Sequence, residues 1–155
     1  MLPIDLKELL ESFNENGVEY LVIGGHAVGV HAQPRATKDL DVFIRSSKEN
    51  SEAVFRALAA YGAPLGNVTP ELFRDGSTAF QIGIEPSRID ILQAIDGVSF
   101  DEAWPTRVQA ELEGGMAANF PLREILIQNK LASGRHQYLA DVEAMQDAAK
   151  ARTES

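Results

Sequence analysis

Val18-Glu19-Tyr20-Leu21-Val22-Ile23-Gly24-Gly25-His26, followed by Thr37-Lys38-Asp39-Leu40-Asp41-Val42-Phe43, is the stretch on which the fold turns. The first segment ends in an unbroken apolar run that stops at two glycines. Such a run fits a strand buried on both faces. The second alternates acid and apolar residues, and side chains two apart on a strand point to the same face. Asp39 and Asp41 are therefore expected side by side. Two adjacent carboxylates repel, which raises a pKa or demands a cation.

A third acid stands at Asp90, between isoleucines, in Arg88-Ile89-Asp90-Ile91-Leu92. Placed beside the Asp39 strand, the three acids could hold two divalent ions. Mg²⁺, or Mn²⁺ in its place, takes carboxylate oxygens and commonly carries substrate phosphates as well. Gly24-Gly25 at a strand end permits close backbone approach and unusual dihedrals. A short helix after them would turn amide groups toward an anion.

The chain around this stretch reads as alternating helices and strands. Leu6, Leu9, Leu10 and Phe13 follow helical spacing, with Asp5 as a cap and Gly17 as the end. Ser46 and Glu49 stand at capping-box spacing before a helix carrying Val54, Phe55, Leu58 and Ala59, which ends near Gly62. Residues 63–77 are loop-rich, with a helical turn at Thr69-Pro70-Glu71. Two hairpins are expected. One pairs Ala79–Ile84 with Arg88–Leu92 across Glu85-Pro86-Ser87, and the other pairs Arg107–Leu112 with Met116–Phe120 across Gly114-Gly115. Asp101–Trp104 reads as another helical turn. Pro121 opens a helix with Leu122, Ile125 and Leu126 on one stripe, and Leu139, Val142, Met145 and Ala149 line the last helix. The expected class is α/β (α+β), with a mixed central sheet flanked by helices.

The 155 residues fit a single domain over 1–155, and the formal net charge is −9. Long nucleic acids are usually held by a basic face, so a processive polymerase is disfavoured. There is no cysteine, which excludes disulfides and thiolate metal sites. No apolar run reaches membrane-spanning length and no signal-peptide pattern opens the chain, so a cytoplasmic protein is expected. His26 and His31 lie five apart, not the three or four that aligns zinc ligands on a helix. His26 is a candidate for phosphate or substrate contact because it follows the glycines.

Gly-Gly after a hydrophobic strand, an Asp-X-Asp separated from Gly25 by thirteen residues, and a third acid between hydrophobics resemble the nucleotidyltransferase superfamily that includes DNA polymerase beta. The closing helices resemble its small prokaryotic branch of abortive-infection toxins and antibiotic nucleotidyltransferases. In that branch a late-helix lysine and a downstream acid recur; Lys130 and Asp141 match them. The resemblance implies a nucleotidyltransferase fold and the transfer of a nucleoside monophosphate from an NTP, ATP foremost. The acceptor would be a small molecule, a protein side chain or an RNA end. It implies metal binding by Asp39, Asp41 and Asp90, and nucleotide contact by Gly24, Gly25, His26, Thr37, Lys38 and Lys130. A toxin role with an antitoxin partner is a further implication. Gly25 departs from the serine that many members carry there, so phosphate contact would rest on backbone amides and Lys130.

Other readings of the same residues stay open. Lys130 sits at the edge of an apolar stripe and could snorkel to solvent. Asp90 could be a paired sheet acid, and Asp141 a helix-surface or ion-pair residue. A non-catalytic nucleotide- or protein-binding module on the same fold is the chief rival, and a phosphohydrolase a third reading.

Overall fold

The computed structural model describes residues 4–31, 39–83, 88–112, 115–134 and 136–154. Thr37 and Lys38, and the turn Glu85-Pro86-Ser87, lie outside the described residues.

Helix α1 (Ile4–Glu15) leads into β1 (Tyr20–Ile23), then α2 (Gly25–His31), β2 (Leu40–Ile44) and α3 (Lys48–Tyr61). A 3-10 turn at Pro70–Arg74 precedes β3 (Phe80–Ile82) and β4 (Ile89–Leu92). The short α4 (Phe100–Ala103) runs into a second 3-10 turn, Trp104–Thr106. After it come β5 (Val108–Leu112), β6 (Met116–Phe120), α5 (Arg123–Ser133) and α6 (His136–Glu154). Both expected strand pairs form, and the main sheet is mixed as the alternation suggested. Its order is β1-β2-β4-β3, with β2 and β4 parallel and the other two pairings antiparallel. A separate two-stranded sheet joins β5 to β6.

The pleat of this sheet sorts its side chains into two layers. Leu40, Val42 and Ile44 of β2, with Ile89 and Ile91 of β4, join the main core, packed with Leu6, Leu9, Leu10 and Phe13 of α1 and Val54 and Leu58 of α3. Phe43 points the other way, with Leu21 and Ile23 of β1, into a smaller cluster under Val98, Phe100 and Ala103. Burial of this apolar area drives the fold, at about 25 cal/mol per Å² removed from water. Residues of odd number in β2 and even number in β4 thus share the face away from the main core.

Asn50 latches α3 to the sheet. Its Oδ1 accepts from the Glu19 amide at 2.8 Å, while its Nδ2 donates to the carbonyls of Glu19 (3.0 Å) and Arg45 (2.8 Å). The cap of α3 is Ser47, whose hydroxyl accepts from the Asn50 amide, one residue later than the Ser46–Glu49 spacing suggested. Ser47 has the extended backbone a cap needs, so the helix starts after it. A full capping box does occur, at Ser99 and Glu102 on α4. Among the described residues no helix is long and apolar enough to cross a membrane.

Candidate active site

Parallel pairing of β2 with β4 sets Asp41 directly opposite Asp90. Antiparallel pairing with β1 sets Ile23 opposite Asp41, which puts the Gly24-Gly25 turn at the same edge. Gly24 has φ +76, and a Cβ there would stand 2.5 Å from Asp41 Oδ2. Glycine is therefore required twice over, for its left-handed backbone and for the space that the carboxylate fills.

Asp41 pays electrostatically for its position. Burial, the Asp90 charge and the Asp39 charge together push its pKa up to about 6, with Arg88 opposing. The Asp90 carboxylate is held by Arg88, whose Nε donates to Oδ2 at 3.0 Å. Arg88 also touches the third acid, because its backbone amide donates to Asp39 Oδ1 at 3.1 Å. Strand β2 begins at Leu40, so Asp39 sits just before it and not within it as the alternation suggested. Its carboxylate is drawn to the start of β4. Among the described residues no group of three or more acid, histidine or cysteine side chains is gathered closely enough to hold a metal.

Asp41, Arg88 and Asp90 line a cleft of about 420 Å³ with Ile23, Gly24 and Lys130. Helix α5 makes one wall and the Asp96-Gly97 turn makes the rim. Gln128 and Asn129 of α5 clamp that turn by donating to the carbonyls of Gly97 (2.7 Å) and Asp96 (3.0 Å). Gly97 has φ +71 and packs where a Cβ would meet Ala132, so helix and turn are fitted to each other.

Lys130 is the residue that the sequence placed least well. It is 2 % exposed, where a snorkelling edge lysine was one of two expectations. Its Nζ lies 3.6 Å from Asp141 Oδ2, and Asp141 is 4 % exposed on α6. The lysine and downstream acid singled out in the sequence are thus brought together as a buried ion pair at the cleft.

His26 opens the second position of α2, and its Nε2 is buried without a hydrogen-bond partner. Burial lowers its pKa, the nearby Asp39 main chain opposing. Its ring lies near the Asp39 backbone and outside the residues that line the cleft. His31 is also turned inward, its Nε2 donating to the Pro121 carbonyl at 2.9 Å.

Sequence reasoning missed Arg88. Its one visible signal was a cation two residues before an acid on a strand, which aligns their side chains on one face.

No family model matches the chain, and no curated protein sequence matches it significantly. Solved structures do match. The antibiotic-resistance factor ANT(2″)-Ia in solution superposes with a TM-score of 0.59 at 14 % identity, covering 96 % of this chain and 84 % of that one. The crystal structure of ANT(2″)-Ia with adenylyl-2″-tobramycin gives 0.61 at 13 % identity, covering 96 % and 89 %. A Thermotoga maritima protein classed as a nucleotidyltransferase gives 0.54 at 16 % identity, covering 100 % and 97 %. The chain has the nucleotidyltransferase fold, as its sequence motifs implied.

Proposed function

We propose that this chain is a divalent-metal-dependent nucleotidyltransferase, one domain over 1–155, that moves a nucleoside monophosphate from an NTP to an acceptor hydroxyl. The observation that carries the reading is the register of Asp41 with Asp90 beside Gly24. Two carboxylates facing one cleft suit a cation that takes one or two protein ligands and fills its remaining positions with water and phosphate. The donors are hard oxygens, and burial together with the neighbouring Asp90 raises the Asp41 pKa to about 6, a conflict that a cation would relieve.

In this reading Asp41 and Asp90 would hold Mg²⁺ or Mn²⁺, and Asp39 would join them only by turning away from the Arg88 amide. The ion would neutralise charge on the triphosphate and on the departing pyrophosphate. Gly24 and Gly25 let the triphosphate approach the main chain closely. Lys130 presents positive charge at the cleft, kept in place by Asp141. Asp90 would complete the metal site or take the acceptor's proton as the acceptor oxygen attacks the α-phosphorus. Thr37, Lys38 and His26 are assigned to the nucleotide side. The barrier falls mainly through positioning and charge stabilisation.

ATP is the favoured donor, since the ANT(2″)-Ia complex contains an adenylylated product. That same product makes a small hydroxyl-bearing molecule the first acceptor to try, ahead of a protein side chain or an RNA end. A toxin role with an antitoxin partner, in the cytoplasm, rests on the family resemblance.

Thermal unfolding with each of the four NTPs, with and without Mg²⁺, tests the reading on wild type and Asp41→Asn. Ligand at a hundred times its dissociation constant should add about 2.7 kcal/mol of stability. The shift should need Mg²⁺ and vanish in the variant. Stabilisation that ignores both the metal and the substitution would sink the assignment. Metal-dependent binding without transfer to any acceptor would favour the binding-module alternative.

A further inference from the structure

Asp90 on β4 and Lys130 on α5 line one cleft with opposite charge. A short structure joins them. Six residues after Asp90 the chain reaches the Asp96-Gly97 turn, which a backbone bridge between Ile95 and Val98 closes. Helix α5 grips that turn with the two residues just before Lys130. Asn129 Nδ2 donates to the Asp96 carbonyl at 3.0 Å, and Gln128 Nε2 to the Gly97 carbonyl at 2.7 Å. A third contact is steric. A Cβ on Gly97 would stand 2.5 Å from the Cβ of Ala132, with the Gln128 carbonyl oxygen at 3.6 Å and the Ala132 Cα at 3.9 Å. Carbon atoms in contact ordinarily rest about 3.5–4.0 Å apart. Neither an alanine nor helix main chain has a rotamer that could yield. A side chain at position 97 therefore moves the helix or the turn by about an ångström.

Resting on the function argued above, we propose that the Gly97–Ala132 contact is the spacer of the cleft, setting how far Lys130 stands from the acids and so how the site grips a metal–triphosphate. Gly97 and Ala132 touch no reacting group and are positioning residues. Lys130 is 2 % exposed, so its ammonium cannot search for a phosphate by swinging through solvent, and α5 has to deliver it. Asp141 on α6 holds the ammonium, while the turn holds the helix that carries it. A charge-assisted hydrogen bond works over a narrow range of about 2.7–2.9 Å, so an ångström of displacement removes most of its value. The same turn follows directly from the strand that bears Asp90, which ties the two walls of the cleft to one reference point.

The test uses the full chain and two readouts. One is the affinity for Mg²⁺ with α,β-methylene ATP by calorimetry, and the other is acylation of Lys130 by limiting acetic anhydride, followed by mass spectrometry without ligand. Gly97→Ala should weaken the analogue about tenfold, the size of one damaged hydrogen bond to a charged group, and should make Lys130 more reactive. Ala132→Gly alone should lose some helix stability and leave both readouts as in wild type. The double variant Gly97→Ala with Ala132→Gly should recover wild-type affinity and Lys130 protection, although it keeps the left-handed backbone penalty at 97 and the helix penalty at 132. That recovery is the signature, because a purely structural effect of φ +71 at Gly97 is untouched by trimming Ala132. Gln128→Glu, which sets an acceptor against the Gly97 carbonyl, should act in the same direction to a smaller degree and serves where Gly97→Ala fails to fold. A double variant as weak as Gly97→Ala, or a Gln128→Glu chain that matches wild type in both readouts, overturns the proposal. A wild type that binds no metal–analogue defeats the functional reading instead, and Lys130 acylation then judges the turn by itself.

Discussion

Asp41 and Asp90 are like charges side by side on neighbouring strands, whereas Lys130 and Asp141 are opposite charges meeting between two packed helices. Both pairs bear on one cleft. The helix pair is almost fully buried and complementary, so its charges are bound to each other. The strand pair is partly exposed and mutually repulsive, and its members keep coordination capacity for something else. A fold that tolerated such repulsion without use would gain by replacing either acid. The contrast separates a pair that is neutral in itself from a pair whose repulsion a ligand would relieve.

The largest expected effect comes from breaking the helix pair. Lys130→Ala should leave Asp141 buried without its lysine and cost about 3–5 kcal/mol, the usual penalty for removing one partner of a buried pair. Replacing both by Met and Leu should recover most of that loss, because two desolvated charges are removed together. Urea unfolding of Lys130→Met, Asp141→Leu and the double variant gives the coupling directly. A double variant as unstable as the singles would show that the helices need the charges themselves. Transfer activity should stay low in the double variant even when stability returns, because Lys130 is also assigned to the phosphates.

The two pairs were not equally legible in the sequence. Alternation alone placed Asp41 and Asp90 each on a strand with apolar neighbours facing the core, since side-chain direction along a strand has period two. Their direct opposition depends on the parallel register of β2 with β4, which no local pattern encodes. The same register brings the Arg88 amide to Asp39, and so that hydrogen bond was invisible. Lys130 and Asp141 were matched by family resemblance, but local spacing could not tell a snorkelling lysine from a buried one. Burial there is decided by the packing of α6 on α5, a tertiary fact. The cap at Ser47 was missed by one residue because two adjacent serines satisfy the same composition rule, and only backbone conformation chooses between them.

The next effect lies in the strand pair and is read through pH. The pKa of Asp41 is raised from 3.8 to about 6 in the folded state. Between those values the native state holds the proton more tightly than the unfolded chain. The resulting stabilisation is complete below pH 4 and is lost as pH rises through 6. The full difference is about 3 kcal/mol at most, by the usual conversion of a pKa shift to free energy. In metal-free buffer, Asp41→Asn should therefore gain stability relative to wild type as pH goes from 4.5 to 7. Its gain should reach about 1–3 kcal/mol at pH 7. Adding Mg²⁺ and ATP should stabilise only the wild type and shrink that difference. A gap between the two proteins that stays flat with pH would mean that Asp41 is not strained by its neighbours.

Gly24→Ala sharpens the contrast at the smallest scale, because it perturbs the strand pair without altering any charge. The new methyl would meet Asp41 Oδ2 at 2.5 Å and would force a left-handed backbone on an L-residue. The backbone term alone costs about 1–2 kcal/mol. The Asp41 carboxylate has to give way as well. Stability should thus fall modestly while metal–nucleotide affinity falls by a larger factor. Gly62→Ala supplies the reference, since Gly62 has φ +95 at the end of α3 and open space around its Cβ position. Both variants carry the same kind of backbone penalty, so equal losses of stability are expected from that source. Only Gly24→Ala should also lose the Mg²⁺-dependent thermal shift with nucleotide. If Gly62→Ala loses it too, the effect belongs to general loosening of the fold, and the close fit of glycine against carboxylate has no special part in binding.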